Sequence, residues 1–141
     1  MTRASLKLCG YCALFVLAEV LLYASYRHHD ARFHWFLHFL VGASAALLLM
    51  ALIAWRRRAA APFPLLWILA GHLFAMTPDF LFLFFSIIHR GWMDVFLLHI
   101  QAHFIPGRNL TWYLIFLLSL GAYLKVVASL PHSHGGLTST R

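Results

Sequence analysis

"FHWFLHFLVGASAALLLMALIAW", residues 33–55, decides the fold. The run exceeds the roughly 20 apolar residues that a helix needs to cross a bilayer, and Arg56-Arg57-Arg58 closes it abruptly. In hydrocarbon no water satisfies peptide groups, so a crossing segment must bond within itself, as a helix does. The "GASAA" at residues 42–46 gives this helix a face of small residues, suited to close packing against another helix.

Working outward, residues 8–26, 63–88 and 110–130 form three more apolar runs of comparable length. The whole chain is 62% hydrophobic and 11% charged, against roughly 45–50% and about 25% in soluble domains. The expected fold is all-α: one integral membrane bundle of four transmembrane helices, forming a single domain over residues 1–130. Residues 92–105 are short for a span and carry Asp94, His99, Gln101 and His103. They are expected to form one short re-entrant or interfacial helix at the outer face, packed on protein and ended by Pro106 and Gly107. The first run follows Arg3 and Lys7 and outlasts a signal-peptide core, which reads as an uncleaved anchor helix. The polar tail, residues 131–141, is expected to be disordered and cytoplasmic. Trp35, Trp55, Trp92, Trp112 and Tyr113 lie near span ends and read as interfacial anchors.

The net charge of +7 does not signal nucleic acid here, because the basic residues sit between apolar runs. It signals topology and contact with anionic headgroups. Arg3, Lys7, Arg56, Arg57, Arg58 and Arg141 fall on one side of the four-span arrangement, and Arg27, Arg32, Arg90 and Arg108 on the other. That bias places both termini in the cytoplasm. The expected partners are membrane lipids, with a second copy or another membrane protein as further candidates.

This topology gathers the titratable residues. His28, His29, Asp30, His34, His38, Asp79, His89, Asp94, His99 and His103 all fall at the outer face, leaving only His72 deeper among the histidines before the tail. His34 and His38 are four apart, as are His99 and His103, so each pair shares one face of a helix. Imidazole with carboxylate suits zinc or another transition metal rather than magnesium or calcium. The expected ligands are His38, Asp79, His99 and His103, with His34, His89 and Asp94 as close alternates. In an enzyme, His89 or Asp94 would act catalytically by shuttling a proton. Asp79 is the telling residue, since an ionisable group within a span marks a functional site, and Pro78 beside it kinks the helix. His72, two turns before Asp79, is expected to support Asp79 or to bond across helices. Glu19 and Lys125 lie within the first and last runs. They form an intramembrane pair, or Lys125 snorkels to the interface. Cys9 and Cys12 lack the context of a redox motif and read as buried structural thiols.

The same residues resemble a family, the small bacterial membrane-bound metal-dependent hydrolases. "HFLVGASAALLL" from His38 is similar to its opening helix. "TPDFL" supplies Pro78 and Asp79 at its first acidic position, "HRGWMDV" supplies His89, Arg90 and Gly91, and "HIQAH" supplies His99 and His103 near its late ligand pair. The similarity covers residues 33–104. Phe80 and Leu81 stand where a second aspartate is expected, Asp94 where a histidine is, and His103 where an aspartate is. The resemblance implies a metal site, hydrolysis, and a bacterial inner membrane. The functional expectation is a zinc site near the outer face, hydrolysing a lipid or lipid-linked substrate. The alternatives are a histidine-rich redox protein with haem or di-iron, and a non-catalytic module binding metal ions or protons.

Overall fold

The computed structural model describes residues 3–27, 32–88 and 90–131. Five α-helices follow one another, α1 (Arg3–Arg27), α2 (Arg32–Arg57), α3 (Pro64–Ala75), α4 (Thr77–Phe85) and α5 (Arg108–Ala128), with two 3-10 turns, Gly91–Val95 and Gln101–Phe104, between the last two helices. Among the described residues there is no strand.

The opening run forms most of α2, and α2 is the centre of the molecule. It packs between α3 and α5, and touches α1 and the second 3-10 turn. Leu37, Val41, Ala43, Ala46, Leu47, Met50, Ala51 and Ala54 are buried along its length. Its contact with α3 is backbone against backbone. A methyl group built on Gly42 would overlap the carbonyl of Gly71, and one built on Gly71 would overlap the carbonyl of Gly42. The small-residue stretch therefore serves close helix packing, because only glycine leaves room for two backbones at that point. One further cluster joins the C-terminal half of α2 to Ala61 and Tyr123, and another joins Leu37 and Val41 to Ala102 and Trp112.

Three expectations are corrected. First, residues 63–88 do not form one helix: α3 and α4 are bent by 50° about Met76, and the helix ends at Phe85. Pro78 has no N–H to continue the ladder, and it sits at the start of α4, where that loss is tolerated. Second, residues 92–105 are not one helix. The two 3-10 turns are separated by Leu97 and Leu98, both left-handed, with φ of 56° and 58°. Two adjacent leucines in that region are uncommon and strained. Third, Cys9 is exposed and Cys12 partly so, which places neither thiol in the core.

Among the described residues two helices, His34–Arg57 and Asn109–Ala128, are long and apolar enough to cross a membrane. The bent pair Pro64–Ala75 and Thr77–Phe85 makes a third if it acts as one span. The tail beyond residue 131, with His28, His29 and Asp30, lies outside the described residues.

The glycine crossing gives a direct test. Gly42→Ala is expected to destabilise the protein by about 1–3 kcal/mol or more, since a backbone carbonyl cannot rotate away. Gly10→Ala and Gly121→Ala, which meet nothing within 4 Å inside α1 and α5, are expected to be neutral or to stabilise by up to about 1 kcal/mol. Thermal unfolding of the purified variants checks both, and an unshifted midpoint for Gly42→Ala contradicts the crossing.

Candidate metal centre

The helix break assembles the site. In a continuous helix the Asp79 N–H would bond the Ala75 carbonyl. Here it bonds the carbonyl of Met76 at 3.0 Å. The Ala75 carbonyl is instead taken by His99 Nδ1 at 3.0 Å. A carbonyl only accepts, so Nδ1 carries the proton and Nε2 keeps its lone pair. Metal-binding histidines are commonly held in this way, through the ring nitrogen that does not bind the ion.

That lone pair faces Asp79. His99 Nε2 lies 3.6 Å from Asp79 Oδ1, and His38 Nε2 lies 3.8 Å from Asp79 Oδ2. Both separations are too long for hydrogen bonds. They are close to the spacing of donors around one ion: bonds of about 2.0–2.1 Å in a tetrahedron set neighbouring donors about 3.3–3.4 Å apart. All three side chains are buried, His38 fully, His99 at 2% and Asp79 at 8% exposure. One donor atom from each lies within 4.8 Å of the others. The His38 and His99 rings stack, with centroids 4.1 Å apart and planes 7° from parallel. Neither ring nitrogen of His38 has a hydrogen-bond partner, although the residue is fully buried. Such an omission is rare in an interior, and an ordered water, an ion or a ligand can meet it.

A second group, His34, His38 and His103, meets the same 4.8 Å criterion nearer the surface. The His34 and His103 ring centroids are 4.6 Å apart, and those of His38 and His103 are 5.1 Å apart. The ligands named from the sequence, His34, His38, Asp79, His99 and His103, thus all fall in these two groups. The reason differs from the expected one for the later pair, because His99 and His103 do not share a helical face. His99 lies between the two turns and His103 within the second.

The structure gives Asp94 a different place from the catalytic one expected. It belongs to neither group. Its Oδ1 accepts the backbone N–H groups of Ile100 at 2.8 Å and Gln101 at 3.1 Å. The carboxylate thereby closes the turn that carries His99, against the strain of Leu97 and Leu98. Trp112 Nε1 pins the next turn by donating to the Ala102 carbonyl at 3.3 Å. His89 lies outside the described residues. His72 does not support Asp79. It bonds across helices, its Nδ1 2.7 Å from Glu19 Oε1, flanked by the Trp35 and Phe39 rings. The partner of Glu19 is therefore His72 rather than Lys125, which is exposed. Sequence reasoning missed the Ala75 carbonyl altogether, and Pro78 was its only signal.

The Asp94 turn is testable by a pair of substitutions. Asp94→Ala is expected to weaken metal binding about tenfold, as removal of a supporting hydrogen bond does. Asp94→Asn keeps the acceptor oxygen and is expected to retain affinity within about threefold. Titration of the purified variants with zinc compares them, and equal loss in both contradicts the backbone role.

Compared with known protein families, curated proteins and solved structures, the chain matches none, so the reading of its function rests on the geometry of the cluster itself.

Proposed function

We propose that this chain is a multi-pass membrane protein that binds one divalent transition-metal ion, zinc foremost, through His38, Asp79 and His99. The observation that carries the reading is the buried pair of histidines facing one carboxylate, with His99 Nδ1 already engaged by the Ala75 carbonyl. Two imidazoles and a carboxylate are a borderline-soft donor set that favours zinc and its neighbours over magnesium or calcium. The stacked His38 and His99 rings leave no gap in which a porphyrin could sit between them, which disfavours haem at this point.

The bilayer supports the rest of the proposal. α2, α5 and the bent α3–α4 pair meet the length and apolarity of spans, and α1, with 25 residues, supplies the fourth. Large apolar side chains are exposed on the outside of α1, α4 and α5, including Leu14, Leu21, Phe84, Phe85, Leu114 and Leu118. Exposure on that scale needs an apolar neighbour. The Lys/Arg distribution supports both termini in the cytoplasm of a bacterial inner membrane and the metal position toward the outer leaflet.

His38, Asp79 and His99 would hold a tetrahedral ion with one position left open, as in catalytic rather than closed structural zinc sites. Zinc bound there supplies Lewis-acid polarisation and acidifies water. The side chains do the remaining work: Asp79, placed against both imidazoles, would offset the charge of the cation, and His99 is held in one tautomer by the backbone. The reaction class that follows is hydrolysis. A substrate reaching the site from the membrane would be a lipid or lipid-linked phosphoester or amide.

Two measurements test this reading. Detergent-purified protein is expected to carry about one zinc per chain, lost in His38→Ala and Asp79→Ala, with affinity falling as the pH is lowered because protons compete for the imidazole lone pairs. Protein that neither carries nor takes up a transition metal, or that shows a Soret band, contradicts it. Alkaline carbonate extraction of cell membranes is expected to leave the chain in the pellet, and its release would remove the bilayer from the proposal.

A further inference from the structure

The two ligand groups share one residue, and their burial is graded. His34 is exposed and His103 is partly buried, whereas His38 is fully buried and His99 and Asp79 nearly so. The order along the cluster is therefore surface to interior, with His38 as the common member. Both His38 ring nitrogens lack hydrogen-bond partners, so no hydrogen bond fixes which of them carries the proton. The ring stacks on His99 at 4.1 Å and meets His103 edge-on at 5.1 Å.

The two groups differ in charge. His34, His38 and His103 offer three neutral imidazoles, whereas the deeper group replaces two of these with His99 and the Asp79 carboxylate. A carboxylate at the same depth adds Coulomb attraction that grows as water is excluded. A divalent ion is thus held more weakly outside than inside. A neutral imidazole has one lone pair, because its other nitrogen carries a hydrogen. His38 can therefore serve one ion at a time, and the two positions cannot both be filled through it.

We propose that His34, His38 and His103 form a second, outer metal position through which a single divalent transition-metal ion passes between the surface and the His38–Asp79–His99 position. The inference rests on the metal reading above and adds a path to it. His34 and His38 stand one turn apart at the start of α2, and His103 reaches them from the second 3-10 turn, so the outer position lies at the exposed end of the buried one. The ion exchanges ligands in steps, keeping His38 while His34 and His103 give way to His99 and Asp79. No step requires it to be bare in an apolar interior, where an unpaired charge is costly. His34 and His103 act on the rate of exchange, while Asp79 and His99 determine where the ion rests.

The test is stopped-flow loading of metal-free, detergent-purified full-length protein with cobalt(II), read by its visible ligand-field absorption. The wild type is expected to saturate at one cobalt per chain. The double variant His34→Ala/His103→Ala is expected to reach the same final spectrum with affinity within twofold, but to load and to release cobalt to a chelator at least tenfold more slowly. His99→Ala is expected to bind weakly with a different spectrum and to load without delay. His34→Gln alone, at an exposed position, gives a milder slowing in a protein whose fold is checked by circular dichroism. Loading of the double variant at the wild-type rate overturns the outer position. So does a second cobalt in the wild type, and so does loss of affinity in the double variant equal to that of His38→Ala, which would make all five residues one centre. Failure of the wild type to bind cobalt at all would instead overturn the metal reading on which the path rests.

Discussion

The bond from His99 to the carbonyl of Ala75 is the constraint on which the centre depends. It exists because the ladder between α3 and α4 is interrupted at Pro78 and the Asp79 N–H turns to Met76, which frees the Ala75 carbonyl. One interruption of the ladder thus has three results. It bends the helix pair by 50°, brings the Asp79 carboxylate to the first turn of α4, and leaves a backbone acceptor for an imidazole from a distant loop. A kink in a helix needs an identifiable cause, and here the cause also orients a histidine.

The other side of the cluster is held by α2. Its fixed point is the glycine crossing with α3, where Gly42 and Gly71 leave no room for a side chain on either backbone. His38 lies one turn before Gly42 and His72 directly follows Gly71, so the close approach sets the depth at which both are buried. The loop carrying His99 and His103 closes the third side. It holds two left-handed leucines, and residues in such conformations persist only where the surroundings fix them. The Asp94 carboxylate and the Trp112 indole supply that fixation.

Much of this was legible in the sequence, and the parts that were not have physical reasons. The apolar runs gave helices because length and composition report them directly. His34 and His38 followed from their spacing on a regular helix, and Asp79 from its cost in an apolar run. Residues 92–105 read as a helix yet form turns, since no local signal marks Leu97 and Leu98 as left-handed: leucine ordinarily favours helix. Asp94 looked like a catalytic group because composition shows a carboxylate but not which N–H groups it meets. The Glu19–His72 bond joins residues 53 apart in the chain, and nothing in either segment names the other. The number of spans is not legible from run length, because a run that is long enough to cross can still be broken in the middle, as residues 63–88 are at Met76.

The attachment of α1 carries a consequence for how the helices find one another. Among its described side chains Glu19 alone is buried, while Tyr11, Leu14, Val16, Leu17, Val20 and Leu21 are more than half exposed. In the bilayer proposed above, an apolar helix face gains little by choosing a protein neighbour over lipid tails, since both are equally greasy. Rotating α1 about its axis would therefore exchange one set of aliphatic contacts for another at small cost, except that it would strand a carboxylate and a fully buried imidazole. Polar pairs of this kind act as register marks, as single buried asparagines do in coiled coils. The azimuth of the first helix is then set by one hydrogen bond in the manner of a key in a shaft, leaving the rest of its surface free to vary in sequence.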